Sequence, residues 1–184
     1  MNVAASTYSR HYEAERVIPV SNAALFAYLD KQSQLSAHMT KRSWMMGGGR
    51  MDIATDEGGF QKVGSRLRLE GRAFGLKLTL DEAVTVHKPP LMKVWETVGT
   101  PKLLVIGDYR MGFKITPEQT SSQLNVFIDY DLPRTTIGRL LGHLFAAFYA
   151  SWCVKRMVAD AGSALSQPQI SSWKSRSDFT GSPG

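Results

Sequence analysis

At 184 residues the chain has room for one domain with one substantial core, and a composition of 43% hydrophobic and 21% charged residues excludes a disordered polypeptide. The single cysteine, Cys153, excludes an intramolecular disulfide framework and any zinc site built from clustered cysteines. The net charge of +6 is gathered in two places: Lys31, Lys41, Arg42 and Arg50 lie in a stretch without an acid, and Lys62, Arg66, Arg68, Arg72 and Lys77 are opposed by Glu70 alone.

In chain order, residues 1–7 lack the basic start and apolar run of a secretion signal and are expected to be a short extension of a cytoplasmic protein. Tyr8 to Val20 reads as a first strand closed by Pro19. Ser21 or Asn22 then caps a short helix through Leu25, Phe26 and Leu29, and a second short helix is expected near Gln32 to Thr40, before the loop at Gly47-Gly48-Gly49.

From Met51 to Tyr130 the period is close to two. Leu67 and Leu69 alternate with Arg66, Arg68 and Glu70, and Leu76, Leu78, Leu80, Val84 and Val86 oppose Lys77, Thr79, Asp81, Thr85 and His87 up to Pro89-Pro90. Met92 to Val98 is a strand whose pattern fixes no register, which leaves Trp95 and Glu96 unplaced. A strand within Leu103 to Ile115 turns Tyr109, Met111, Phe113 and Ile115 to one side, and a last one does the same with Leu124, Val126, Ile128 and Tyr130. Strands that follow one another without long helices between them predict an antiparallel sheet of about six to seven strands and an α+β fold.

After Pro133 the period becomes 3.6, with Thr135 or Thr136 as N-cap of one long helix to about Leu165. Leu141, Leu144, Phe145, Phe148, Trp152 and Ala159 are expected on its core face, with Arg139, His143, Cys153, Arg156 and Asp160 opposite. Arg139, His143 and two glycines argue against a membrane span. Residues 168–184, rich in Ser, Gly and Pro, read as a disordered tail after a domain of residues 8–167.

Glu82 is the exception on an apolar strand face. An ionised carboxylate there is costly unless paired, protonated or open to pocket water, so Glu82 reads either as a pocket acid or as a residue that a bulge near Asp81 turns to solvent. Tyr109 and Arg16 are the other candidate catalytic groups, Tyr109 as a donor to a carbonyl or enolate and Arg16 as a partner of Glu82 or of an anionic ligand. His11, His38, His87 and His143 fall at no metal-binding spacing, so no metal and no cofactor is expected. Cys153 has no histidine one helical turn away and reads as structural.

Three stretches look familiar: Arg16-Val-Ile-Pro-Val-Ser-Asn-Ala-Ala-Leu-Phe, running from strand to helix; Val84-Thr-Val-His-Lys-Pro-Pro-Leu-Met-Lys-Val-Trp, a hairpin through Pro-Pro; and Gly107-Asp-Tyr-Arg-Met-Gly-Phe-Lys-Ile-Thr-Pro. With the order of elements they resemble the START-like or SRPBCC superfamily, which includes polyketide cyclases, lipid-transfer domains and the birch pollen allergen. The resemblance implies the helix-grip fold, a curved antiparallel sheet around a long C-terminal helix with two short helices after the first strand, and an apolar cavity between sheet and helix. The side chains expected to line it are Met51, Leu69, Leu80, Glu82, Tyr109 and Met111, together with Phe113, Tyr130, Phe145, Phe148 and Trp152, a lining rich in methionine and aromatics that suits an oily or flat ligand.

The first functional expectation is therefore binding or transport of a small hydrophobic molecule, such as a lipid, isoprenoid or aromatic compound. The alternative is an enzyme of cyclase or dehydratase type in the same pocket. A third reading is docking on an anionic membrane surface or acidic protein through the basic patches, since no nucleic-acid motif accompanies them.

Overall fold

The alternating pattern between Arg10 and Tyr130 resolves into seven strands of one curved antiparallel sheet. The structure, a computed structural model, describes residues 8–31, 50–55, 59–73 and 75–166. The expected second short helix, the Gly47 loop, the first seven residues and the tail lie outside the described residues. In order come β1 (Arg10–Ile18), α1 (Asn22–Leu29), β2 (Arg50–Thr55), β3 (Arg66–Ala73), β4 (Leu76–Lys88), β5 (Met92–Thr97), β6 (Tyr109–Pro117), β7 (Ser122–Tyr130) and α2 (Thr136–Leu165). The strand order β1-β7-β6-β5-β4-β3-β2 is a meander from β2 to β7 with β1 added beside β7.

Both helices begin as expected, with the Ser21 hydroxyl accepting from the Ala24 N–H and the Thr135 hydroxyl from the Gly138 N–H. The sheet's concave face carries Ile18, Leu67, Leu69, Leu80, Met111, Phe113, Leu124, Val126 and Ile128 into one buried core with α1 and α2. Gly112 is required on the convex side: a Cβ there would stand 2.7 Å from the Lys93 carbonyl oxygen and 2.9 Å from the Phe127 ring.

The pattern misleads in four places. A register shift between Val84 and Val86 adds a residue to β4, so His87, expected outside with Thr85, instead pairs with Lys93 and turns inward, while Val86 leaves the concave face. Leu76, at the start of the same strand, is exposed. The run before Tyr109 is not strand; its Leu103, Leu104 and Val105 pack against the core as a loop, with only Lys102 bridging to Thr79.

The fourth difference concerns α2, whose buried face is made of Gly138, Gly142, Ala146, Ala150, Cys153, Val154, Met157, Val158, Ala161 and Gly162. Phe145 and Phe148, expected inside, are exposed, as is Leu144, and Cys153, expected outside, is buried. The reason is distance. A Cβ on Gly142 would stand 2.9 Å from both the Leu132 side chain and the Val105 carbonyl oxygen, so the helix lies too close to its neighbours for the bulky face to turn in.

Candidate functional site

The site is built on one row across the strands. Glu82 of β4 lies opposite Leu67 on one side and Thr97 on the other, and the Tyr109 N–H of β6 donates to the Thr97 hydroxyl at 3.2 Å. Tyr109 in turn lies opposite Tyr130. Because the bulge in β4 comes after Val84 rather than before Glu82, the carboxylate stays on the concave face and is only 5% exposed. It accepts hydrogen bonds from the Tyr109 hydroxyl and from the Trp95 indole N–H.

Neither donor carries a charge, and that decides the electrostatics. Burial pushes the Glu82 pKa up to about 7, a rise that the bonds from Tyr109 and Trp95 and the attraction of Lys93 reduce but do not cancel. Tyr109 moves the same way: burial first, then the carboxylate beside it, hold its hydroxyl protonated well above the ordinary tyrosine range. From α2, Tyr149 and Cys153 sit one turn apart against this pair. The Tyr149 hydroxyl donates to the Cys153 sulfur, and burial nevertheless pushes that thiol up to about 12. Such a cysteine is no nucleophile at neutral pH.

Lys93 is fully buried next to this row, but its charge is committed elsewhere. Its Nζ donates to Asp30 Oδ1 at 2.8 Å, just past the end of α1, and the same oxygen lies 3.1 Å from His87 Nε2. Burial lowers the Lys93 pKa and Asp30 opposes the shift. The ammonium lies 5.0 Å above the Phe60 ring, which meets Trp95 edge to face at 6.1 Å. Phe60 has φ of 62° after Gly59 at 57°, a left-handed turn that a bulky residue enters at a cost of about 1–2 kcal/mol, offset by the ~1.5–3 kcal/mol of burying its ring. The turn puts the ring under the ion pair.

Of the candidate catalytic residues, the structure brings Glu82 and Tyr109 together and leaves Arg16 away from them. Arg16 is exposed, its guanidinium rests against Gly162 of α2, and it pairs with Leu124, six residues along the sheet from the Tyr109–Tyr130 row, a separation of about 20 Å. Leu69, Leu80, Met111, Phe113 and Tyr130 are buried on the concave face, and Trp152 is half-buried at the edge of the core. Phe145 and Phe148 point away, and the Met51 side chain lies outside the described residues. The pattern missed Trp95, Lys93, Asp30, His87, Phe60 and Tyr149. A register for β5 would have found the first two, since Lys93, Trp95 and Thr97 alternate with Met92, Val94 and Glu96. Among the described residues, no three His, Cys, Asp or Glu side chains gather to hold a metal ion.

This geometry can be set beside known structures. A protein from Thermus thermophilus superposes with a TM-score of 0.59 at 16% identity, over 86% of this chain and 100% of that one. The chain has the helix-grip fold. Other helix-grip structures similar to it are norcoclaurine synthase from Thalictrum flavum, in complex with dopamine and hydroxybenzaldehyde, and the aromatase/cyclase Zhui from a Streptomyces species. The synthase matches with a TM-score of 0.58 at 9% identity, over 84% of this chain and 85% of its own. The aromatase/cyclase matches with 0.56 at 12% identity, over 83% and 93%. No protein-family model matches the sequence, and no curated protein matches it. Identities this low show the fold and carry no chemistry across.

Proposed function

We propose that this chain, a cytoplasmic protein with its binding domain in residues 8–167, binds a small hydrophobic molecule between the concave face of the sheet and α2. Lipids, isoprenoids and aromatic or polyketide-like compounds are the classes that fit. The observation that carries the reading is the buried Glu82 carboxyl on the concave face, held by the neutral donors Tyr109 and Trp95 while the buried Lys93 beside it is paired with Asp30. An apolar surface supplies affinity without direction, and one carboxyl among it orients a ligand's polar end: protonated it donates to a carbonyl, ionised it accepts from a hydroxyl.

The same group supports a second reading, an enzyme of cyclase or dehydratase type. An acid titrating near 7 beside a tyrosine hydroxyl is suited to moving a proton at a carbonyl, and the fold is shared with an aromatase/cyclase and a synthase that holds an aldehyde. Docking through the basic patches has less behind it. In the described patch Arg68 pairs with Asp81 at 2.7 Å and Lys77 with Glu70 at 3.5 Å, so much of the charge is answered within the sheet, and most of the Lys31 to Arg50 patch lies outside the described residues.

Native mass spectrometry of the protein from its host, followed by identification of the released molecule, tests the proposal. A stoichiometric apolar ligand, bound at least about tenfold more weakly by Glu82→Leu at unchanged or higher melting temperature, is the expected result. Recovery of that ligand chemically altered after incubation selects the enzyme. An empty protein that no lipid or aromatic polyketide stabilises overturns the binding reading, and equal affinity in Glu82→Leu removes Glu82 from the site.

A further inference from the structure

The hydrogen-bonding groups around Glu82 are unevenly spent. The Tyr109 hydroxyl and the Trp95 indole N–H both donate to the carboxylate, and the Tyr149 hydroxyl donates to the Cys153 sulfur. These three donors are therefore used within the protein. An ionised carboxylate offers about four lone-pair sites, and a phenol that donates its proton still accepts at its oxygen. What remains open at this end of the concave face is a set of acceptors: Glu82 itself and the oxygens of Tyr109 and Tyr149, the last close enough to feel the Glu82 charge. The hydroxyls of Tyr130 and Thr97 give or take equally and select neither kind of ligand.

The charges are uneven in the same sense. Lys93 and His87, the two basic side chains turned inward here, both reach the same oxygen of Asp30, at 2.8 and 3.1 Å. Lys93 attracts Glu82 only from a distance, and the bonds to Glu82 from Tyr109 and Trp95 bring no positive charge. A ligand that ends in a carboxylate would meet a like charge in a buried setting, and one that ends in a carbonyl would meet acceptors. An ammonium has three N–H donors for the three open acceptors and is attracted by the indole and phenol rings that surround them.

We propose that the ligand of this site carries a protonated amine on its apolar body, with the ammonium bonded to Glu82 and to the hydroxyl oxygens of Tyr109 and Tyr149. The inference rests on the reading that the concave face holds a hydrophobic molecule, and it names that molecule's polar end. Binding then needs Glu82 ionised. With the carboxyl titrating at about 7 and an alkyl ammonium at about 10, amine affinity rises about tenfold from pH 6 to pH 8 as the competent fraction of the protein grows.

Isothermal titration of the full chain with matched probes tests it: octylamine, octanol and octanoic acid, and the same three end groups on a phenylbutyl body. The expected result, on at least one body, is an amine bound about tenfold or more tighter than the alcohol near pH 8, an acid weaker than both, and a preference for the amine that Glu82→Gln removes while the alcohol still binds. An alcohol or acid bound as tightly as its amine overturns the inference, as does an amine preference kept by Glu82→Gln, and either leaves the binding site itself standing. No binding by any of the six probes also overturns it. Native mass spectrometry separates the two claims, because a stoichiometric apolar ligand without a basic nitrogen upholds the binding reading and overturns the amine.

Discussion

The two faces of the sheet each bury a carboxylate, and they treat it differently. On the convex face Asp129 is 4% exposed and is held by charge: Arg110 donates to its Oδ2 through Nε at 3.0 Å and Nη2 at 2.7 Å, and His11 Nδ1 lies 2.7 Å from Oδ1. On the concave face Glu82 is equally buried, yet its hydrogen bonds come from a phenol and an indole, and the lysine near it is spent on Asp30. A carboxylate given a fixed guanidinium is part of the scaffold, because the pair satisfies itself. One given only neutral donors is left near the balance point between its two protonation states, able to answer whatever is brought to it.

The contrast can be broken most severely at the committed lysine. Asp30→Ala strips Lys93 of its counter-charge while leaving the ammonium fully buried, and is expected to cost about 3–5 kcal/mol in urea unfolding at pH 7. A loss below about 1 kcal/mol would mean that Glu82 takes over as the partner. That is a direct test of whether the lysine's charge is divided as described.

Next comes the pH profile of Glu82. Its folded pKa of about 7 lies above the ordinary 4.5, so between those values the folded state holds more protons than the unfolded one and stability falls as pH rises. The contribution amounts to about 3 kcal/mol between pH 4.5 and 7. Glu82→Gln is expected to match the wild type near pH 4.5 and to exceed it at pH 8, when both are unfolded in urea across that range. Parallel profiles would place the carboxylate in a better-paired setting than the geometry gives.

The smallest effect is expected from the paired carboxylate. Asp129→Asn keeps the shape but removes the charge that Arg110 and His11 share, at a cost of about 1–3 kcal/mol, with no effect on ligand affinity. A change in affinity there would show that the two faces are coupled through the sheet.

How much of this is legible in the sequence depends on how local the determinant is. Glu82 stands out because a period of two is unbroken around it, and Tyr109 because its strand alternates cleanly. His87 reads to the wrong side because one extra residue in β4 reverses every later side chain, and nothing in Val84-Thr85-Val86 announces it. Phe145 and Phe148 read as core because bulk and periodicity normally agree. Arg16 groups with Glu82 because both sit on the concave side, though pairing with Leu124 puts Arg16 at the other end of the sheet.

The sequence by itself determined the helix caps, the antiparallel strands, the long C-terminal helix and the anomaly of an acid on an apolar face, since each follows from backbone propensity and short-range alternation. Only the tertiary structure decided that Lys93 answers Asp30 rather than Glu82, and that α2 presents its glycines and alanines to the sheet and its phenylalanines to the outside. Those outcomes depend on how closely segments distant in sequence approach one another, and no local pattern encodes that distance.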